Sequence, residues 1–277
     1  MPHDTVVASK PGRAETLARH HRAIERVIST MHKEMDNPLP LEVMARIAAM
    51  SPFHFDRTFA QVTGISPCRF LAALRMESAK RLLLTTQLSV TELCFQSGYS
   101  SLGTFTTHFT KHVGVPPTRL RRMTAPSRSN DELPHKLYAS RANAPRSTST
   151  VSGNLNGPAD IGGLVFVGLF PSAIPQGRPA ACTLMTGPGE YLIADIPDGR
   201  YHLLAAAFPW NENADNCLSE TPSHVGCAAA PLTWSGTAAK RKIDVALRPV
   251  NLTDPPVLIA LPYLLSQSHE ATRESSW

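Results

Sequence analysis

Apolar residues in the first 125 positions recur every three or four residues, which is the spacing of amphipathic α-helices. Capping residues and Pro or Gly breaks divide this stretch, since Ser favours helix starts and Gly favours helix ends. The pattern predicts seven helices: one that begins near Leu17 and is broken by Asn37-Pro38, then 41–49, one capped by Ser51 and ended by Gly64, 68–84, one with a capping box of Ser89 and Glu92, about 102–113, and a short one opened by Pro116-Pro117.

The pattern changes after residue 150 to short apolar runs that are separated by Pro and Gly. Residues 164–167 form a continuous apolar run, residues 243–247 alternate between apolar and polar, and residues 188–208 predict a strand, a Pro-Asp-Gly turn and a strand. Short strands of this kind are typical of a β-sandwich. The preceding residues 126–150 contain three Pro, five Ser and two Thr in 25 positions, a composition that favours a linker.

The predicted fold class is therefore an α + β multidomain protein, with an all-α domain followed by a small β-sandwich. A length of 277 residues fits about two domains. The expected organisation is a flexible tail at 1–15, a helical domain at 16–125, a linker at 126–150, a β-sandwich at 151–265 and a flexible tail at 266–277.

One short pattern occurs twice in the helical half. The first copy is SPFHFDRTFAQVTGISP at residues 51–67, and the second is SLGTFTTHFTKHVGVPP at residues 101–117. Their matching letters lie 50 positions apart, as Phe55 and Phe105 show (105 − 55 = 50). The short helix in each copy follows an earlier short helix across a tight turn. This is the arrangement of a helix-turn-helix, whose second helix enters the DNA major groove.

The two faces of the first repeated helix differ in chemistry. At about 100° per residue, Phe55, Phe59 and Val62 form one apolar stripe that we expect to be buried. The opposite face offers a guanidinium, an amide and an aromatic ring for base edges, with a carboxylate at its border: Arg57, Gln61, Phe53 and Asp56.

Charge is distributed unevenly, although the net charge is only +5. Residues 1–125 carry 16 Lys and Arg against 9 Asp and Glu (+7), residues 126–150 carry 4 against 2 (+2), and residues 151–277 carry 7 against 11 (−4). A basic first half indicates a polyanionic partner. A helix of about 17 residues between the two units spans roughly 25 Å, which would set two recognition helices about one DNA turn (~34 Å) apart.

Three parts of the helical half carry a resemblance to a known family. They are LRMESAKRLL at 74–83, SVTELCFQSGYSSLGTFTTHFTKHVGVPPTRLRR at 89–122 and, in the first unit, Ala45, Ser51, Phe55, Arg57, Phe59, Gly64 and Pro67. On these residues, positions of about 20–123 resemble the DNA-binding domain of the AraC/XylS family of bacterial transcription regulators. The resemblance implies a sequence-specific DNA-binding transcription regulator with base contacts from Phe53, Asp56 and Arg57.

The second recognition face departs from the family pattern. Thr107 stands at the position equivalent to Arg57, where the family more usually has arginine, and Gly103 lowers helix propensity by about 1 kcal/mol relative to alanine. We expect this face to hold phosphates and to discriminate bases weakly. The candidate base contacts are Phe53, Asp56, Arg57, Gln61, Gly103, Thr106 and Thr107, and the candidate phosphate contacts are Ser51, Arg69, Lys111, Thr118, Arg119 and Arg121.

The second half carries a weaker resemblance. Its segment PGEYLIADIPDGRY is similar to carboxypeptidase-regulatory and transthyretin-like β-sandwiches, an architecture that includes enzymes. The alternative function is therefore a small-molecule-binding or enzymatic β-sandwich with an auxiliary DNA-binding domain. An iron site of two Tyr and two His is disfavoured, because Tyr201 and His202 are adjacent in a predicted strand and point to opposite faces.

Five scattered cysteines without a CxxC pair argue against a disulfide framework and a zinc site. Cys217 and Cys227 flank one loop and are either free thiols or a redox-sensing disulfide. We expect a non-enzymatic regulator without cofactor, metal or membrane segment, which acts in the bacterial cytoplasm as an activator or a repressor. The expected partner is double-stranded DNA, with RNA polymerase and an unknown small-molecule effector of the second half as further candidates.

Overall fold

The computed structural model describes residues 12–123, 149–158, 161, 163–209, 222–235 and 239–260. The predicted class, a helical region followed by a sheet-rich region, is confirmed. Within the described ranges there are seven helices: α1 (Arg13–Lys33), α2 (Leu41–Ile47), α3 (Pro52–Thr63), α4 (Pro67–Thr85), α5 (Val90–Gln96), α6 (Leu102–Val113) and α7 (Pro117–Met123).

The capping residues predicted from the sequence set the helix ends. The Ser51 hydroxyl accepts a hydrogen bond from the backbone N–H of His54 at the start of α3. Ser89 and Glu92 form the predicted capping box at the start of α5. Gly64 ends α3 in the left-handed conformation at φ 80°, which a residue with a Cβ adopts only with strain.

The helices enclose one apolar core in which the repeated phenylalanines are central. Phe55 and Phe59 are fully buried, with ring centroids 5.6 Å apart, and Phe59 meets Phe70 of α4 edge to face at 5.4 Å. Phe105 and Phe109 repeat the arrangement in α6 at 5.7 Å. Because each pair anchors its helix to the core, only the opposite face of that helix is left for a partner.

Two arginines tie the long helix α4 to its neighbours. Arg75 donates from Nε to the carbonyl oxygen of Met35 (2.7 Å) and from Nη2 to that of Asn37 (2.8 Å), in the connection between α1 and α2. Arg121 of α7 donates to the carbonyl oxygen of Leu83 at 3.4 Å. These bonds tie α4, which joins the two helix-turn-helix units, to the connection before the first unit and to the helix after the second.

The sheet-rich region has two sheets. The strands within the described ranges are β1 (Thr150–Asn156), β2 (Gly163–Phe170), β3 (Ala181–Met185), β4 (Gly189–Ile193), β5 (Gly199–Pro209), β6 (His224–Cys227), β7 (Leu232–Trp234), β8 (Lys240–Lys242), β9 (Val245–Ala246) and β10 (Arg248–Pro249). In the first sheet, β1 pairs antiparallel with β4 and parallel with β8 and β9. In the second sheet, the strand order is β10-β6-β5-β2-β3, with β7 beside β5.

Both sheets contribute side chains to one apolar cluster. Val151 and Ile193 enter it from the first sheet, and Val167 and Leu203 enter it from the second. The other face of β2 forms a separate cluster around Phe166. Strand β2 is thus buried on both faces, which explains why its sequence is continuously apolar and does not alternate.

The strand predicted over residues 243–247 is interrupted. Between β8 and β9 the backbone N–H of Ile243 still donates to the carbonyl oxygen of Ser152. The next N–H of β1 on this side, that of Asn154, donates to the Asp244 carboxylate, so a side chain replaces a backbone acceptor there. The predicted alternation persists, with Val245 and Leu247 buried and Asp244 exposed.

The two strands predicted within residues 188–208 are β4 and β5, but they belong to different sheets. The Pro-Asp-Gly turn between them therefore connects sheets and does not close a hairpin. The predicted linker lies outside the described residues except for Ser149 and Thr150.

Lys80 of α4 is buried, although the helical pattern did not predict a charged residue in the core. Its side chain is 6% exposed, and Nζ donates to the carbonyl oxygen of Val257 at 2.8 Å. Burial lowers the pKa of the ammonium to about 8, and the charge of Glu77 opposes that shift. A buried ammonium that donates to a carbonyl costs more free energy than one paired with a carboxylate.

This burial predicts a pH effect on stability. The folded pKa of Lys80, about 8, lies below the value of 10.5 for an exposed lysine, so between these pH values the unfolded chain binds more protons. The free energy of unfolding of the wild-type protein should rise over this range relative to that of Lys80→Met, and the relative gain is lost as the pH falls through 8. Denaturant titrations of both proteins measure the difference, and a difference that is constant from pH 7 to 10.5 would contradict the assignment.

Candidate nucleic-acid interface

The outer face of α3 carries a stripe of side chains that point away from the core. Phe53, Arg57 and Gln61 follow one another at four-residue steps, and all three are exposed. Phe53 is 79% exposed, an unusual state for a phenylalanine, whereas the Phe55 and Phe59 rings beside it are fully buried. An aromatic ring held in solvent next to a guanidinium and an amide provides both apolar and hydrogen-bonding contacts for base edges.

Asp56 lies at the border of this stripe and is half-buried. No salt bridge joins it to Arg57 in the described part of the chain. The guanidinium of Arg57 therefore projects without a carboxylate partner on its own helix, which leaves its paired N–H groups for an acceptor such as guanine O6 and N7.

The outer face of α6 is built from smaller groups. The Ser101 hydroxyl caps this helix by accepting from the backbone N–H of Thr104. Gly103 and Thr107 are exposed, and Thr106 is half-buried. This face offers hydroxyl and methyl groups without the forked donor that α3 carries in Arg57.

The candidate phosphate contacts differ in their surroundings. Ser51 is exposed, although its hydroxyl already accepts the capping hydrogen bond of α3. Arg121 is half-buried and donates to the carbonyl oxygen of Leu83, so it holds α7 against α4. The other candidates are exposed on α4, α6 and α7: Arg69, Lys111, Thr118 and Arg119.

The sequence did not single out a polar contact between α6 and the turn that precedes it. The Tyr99 hydroxyl lies 3.2 Å from Nδ1 of His108, and the Tyr99 ring packs edge to face on Phe105 at 5.6 Å. The pKa of His112, which lies one turn after His108, is lowered, mainly by burial. Tyr99, in the turn before α6, thus contacts both the buried Phe105 and the exposed His108 of that helix, and no local sequence signal indicated the contact.

Tyrosines in the sheet-rich region have structural roles. The Tyr191 hydroxyl donates to the carbonyl oxygen of Ile243 at 2.6 Å, and the Tyr201 hydroxyl donates to that of Asp198 at 3.0 Å. Burial raises the pKa of Tyr191 to about 12. Among the described residues, no group of three or more His, Cys, Asp or Glu is arranged to hold a metal ion. Cys217 lies outside the described residues, so its predicted relation to Cys227 does too.

None of the described helices combines the length and the apolar character that a membrane span needs.

Residues 44–123 match the protein family described as "Helix-turn-helix domain". Over 109 residues, 39% of its length, the chain is 33% identical to the HTH-type transcriptional regulator GlxA of Rhizobium meliloti (strain 1021), and it spans 34% of that protein. It is 35% identical over 97 residues, 35% of its length, to the uncharacterized HTH-type transcriptional regulator YobQ of Bacillus subtilis (strain 168), and it spans 40% of that protein. The chain therefore covers about a third to two fifths of these relatives.

A similar solved structure is the DNA-binding domain of AdpA, a global transcriptional factor, in complex with a target DNA. The sequence identity is 29% and the TM-score is 0.36, and the match covers 38% of this chain and 98% of that one.

Proposed function

We infer that this chain, whose residues 44–123 form an AraC-type helix-turn-helix domain, is a sequence-specific DNA-binding transcription regulator. One observation carries the inference: α3 and α6 each bury a pair of phenylalanines at equivalent positions, and each turns its opposite face to solvent. A recognition helix needs this combination of a fixed inner face and an exposed outer face. The relatives named as transcriptional regulators support the same function.

We further propose that one chain contacts two adjacent major-groove segments. Helix α4 has 19 residues and is therefore roughly 28 Å long, close to the ~34 Å between successive major grooves on one face of a duplex. In this proposal α3 supplies most of the base discrimination through Arg57, Gln61 and Phe53, with Asp56 at the border. Helix α6 contributes Gly103, Thr106 and Thr107 to weaker base contacts.

The proposed phosphate contacts predict a salt dependence. Lys111→Ala should weaken binding about equally on all DNA sequences and reduce the slope of log K against log salt by about 1, because one fewer counterion is released. Lys33→Ala removes the same charge from the exposed surface of α1 and is the matched control. Fluorescence anisotropy titrations at several salt concentrations measure both slopes, and equal slopes for the two variants would contradict the assignment.

For the second half we propose a β-sandwich formed by the two sheets, within the predicted range 151–265 and joined by a linker at 126–150 to a DNA-binding domain at 16–125. The apolar cluster that both sheets share supports this architecture. We propose a regulatory role for the sandwich, in binding a small-molecule effector or RNA polymerase, and not a catalytic one. The hydrogen bonds of Tyr191 and Tyr201 to backbone carbonyls support that choice, since they give both hydroxyls a structural partner. Action on DNA would place the protein in the bacterial cytoplasm.

A direct test of the function uses the full chain and a pool of random-sequence duplexes. The expected result is salt-sensitive binding with enrichment of one sequence motif. Salt-sensitive binding without any enriched motif would contradict a sequence-specific regulator, because phosphate contacts alone carry no sequence information.

A further inference from the structure

Residues 257–260, which we call the bridging segment, lie between the helical core and the second sheet. All four are buried. Val257 and Ile259 pack into the cluster around Phe166 of β2, whereas Leu258 and Ala260 belong to the helical core. Alternate side chains of this extended segment thus point into two different cores. The segment joins the two regions through apolar contacts on both of its faces.

Hydrogen bonds fix the bridging segment on each side. Lys80 of α4 donates to the carbonyl oxygen of Val257 at 2.8 Å. The backbone N–H of Leu258 donates to the carbonyl oxygen of Pro175 at 2.9 Å, within a loop of residues 173–177. Ile174 of this loop is 1% exposed and is itself part of the helical core. The loop and the bridging segment therefore form one docking unit.

The same loop contacts the end of the second recognition helix. The backbone N–H of Gly177 donates to the carbonyl oxygen of His112 in α6. A Cβ on Gly114 would lie 3.1 Å from the Gly177 carbonyl carbon, and a Cβ on Gly177 would lie 2.9 Å from the Lys111 carbonyl oxygen. Both glycines have positive φ, so the two backbones meet at a distance that side chains would prevent. Gly64, the counterpart of Gly114 in the first unit, has nothing within 4 Å of such a Cβ.

The docked arrangement leaves the candidate recognition faces open. With the sheet-rich region in place, Phe53, Arg57 and Gln61 of α3 are exposed, and so are Thr107 and Lys111 of α6. The contact therefore does not cover the DNA-binding surface. It acts on α4, which connects the two units, and on the C-terminal end of α6.

We propose that the sheet-rich region braces the second helix-turn-helix unit. The bridging segment and the 173–177 loop hold α4 and the end of α6, so that the second recognition helix keeps its position relative to the first. In this proposal the outer face of α6 holds phosphates and makes no bidentate base contact. Such a face depends on correct placement, because phosphate contacts fix the position and orientation of a protein on the duplex. The brace rests on the proposed DNA-binding function, and it assigns the second half a role in that function without any ligand.

Two substitutions remove the docking from opposite sides, and each has a matched control. Lys80→Glu places a carboxylate against the Val257 carbonyl, and Arg81→Glu makes the same charge change at the exposed neighbouring position. Leu258→Asp places a carboxylate where the bridging segment enters the helical core and leaves the sequence of residues 12–123 unchanged. Leu192→Asp makes the same change at a residue of β4 that is 49% exposed. Hydrogen exchange of the Gly177 and Leu258 amides reports docking in the 277-residue chain and its variants.

DNA affinity is measured on the duplex selected by the wild-type protein and on one shortened to remove the second segment. Both docking variants should lose amide protection and bind the full duplex about 10-fold more weakly, with little change on the shortened duplex, while both controls behave as wild type. Lost protection with unchanged or tighter binding to the full duplex would overturn the brace, as would unprotected Gly177 and Leu258 amides in the wild-type protein. Absence of any DNA binding by a docked wild-type protein would instead overturn the proposed function, and the brace with it.

Discussion

Phe59→Ala should lower the free energy of unfolding of the helical half by about 3–5 kcal/mol, the usual cost of truncating a buried phenylalanine. The Phe59 ring is fully buried and contacts Phe55 and Phe70 edge to face, so alanine removes two aromatic contacts and leaves a cavity where α3 meets α4. Denaturant titration followed by circular dichroism at a helical wavelength measures this loss. DNA binding should fail at the same time, because the recognition helix loses its anchor.

Phe53→Ala is the matched control, since it removes the same ring from the other side of the same helix. Phe53 is 79% exposed, so its truncation should change stability by no more than about 0.5 kcal/mol. Affinity for the selected duplex should nevertheless fall, because the ring lies in the proposed contact surface. A large stability loss for Phe53→Ala, or a small one for Phe59→Ala, would show that the two faces of α3 are assigned the wrong way round.

Arg57→Ala should cost about 1–3 kcal/mol of binding free energy on the selected duplex and relax the sequence preference at one base pair. Arg57 is exposed on the outer face of α3, with no salt bridge to Asp56 to compete for its donors. The proposed bidentate contact to a guanine would account for an effect of this size. Titration of the selected duplex and of its single-base variants measures both the loss and the relaxation.

Thr107→Ala is the matched comparison on α6, and it should cost much less. Thr107 is exposed at the position that repeats Arg57, but its hydroxyl has only one donor and cannot make the two parallel donor contacts of a guanidinium. Circular dichroism of both variants should match wild type, since neither side chain packs in the core. Equal binding losses for Arg57→Ala and Thr107→Ala would contradict the unequal roles of the two units.

Features that depend on short stretches of sequence were predictable. The caps at Ser51 and Ser89 and the helix end at Gly64 follow from residues within one helical turn, and the structure confirms them. The buried phenylalanine pairs followed from periodicity, because an amphipathic helix shows its inner face in any window of two turns. The candidate base contacts lie on the exposed or half-buried side of α3 and α6, and their roles on DNA stay predictions.

Features that depend on distant parts of the chain were not predictable. Lys80 is buried because Val257, 177 positions later, provides an acceptor for its ammonium. The alternation of residues 257–260 between two cores likewise requires both cores to be in place. On a helical wheel that starts at Phe70, Lys80 falls at about 280°, between Met76 and Ala73. This position was the only local indication that Lys80 is buried.

The strands fall between these extremes. The apolar run of β2 was predicted, but pairing depends on partners elsewhere in the chain. The separation of β4 and β5 into two sheets and the interruption before Val245 both depend on the central position of β1, which pairs with β4, β8 and β9. Local alternation carries no information about which strand will lie alongside.

The central claim is that one chain recognises two adjacent major-groove segments with unequal stringency. The most direct test selects duplexes from a random pool with the 277-residue chain and then footprints the most enriched duplex. We predict one chain per duplex, protection of two segments about one helical turn (~10 base pairs) apart, and strong base preference in only one of them. Protection of a single segment, two equally stringent segments or the absence of an enriched motif would contradict the claim.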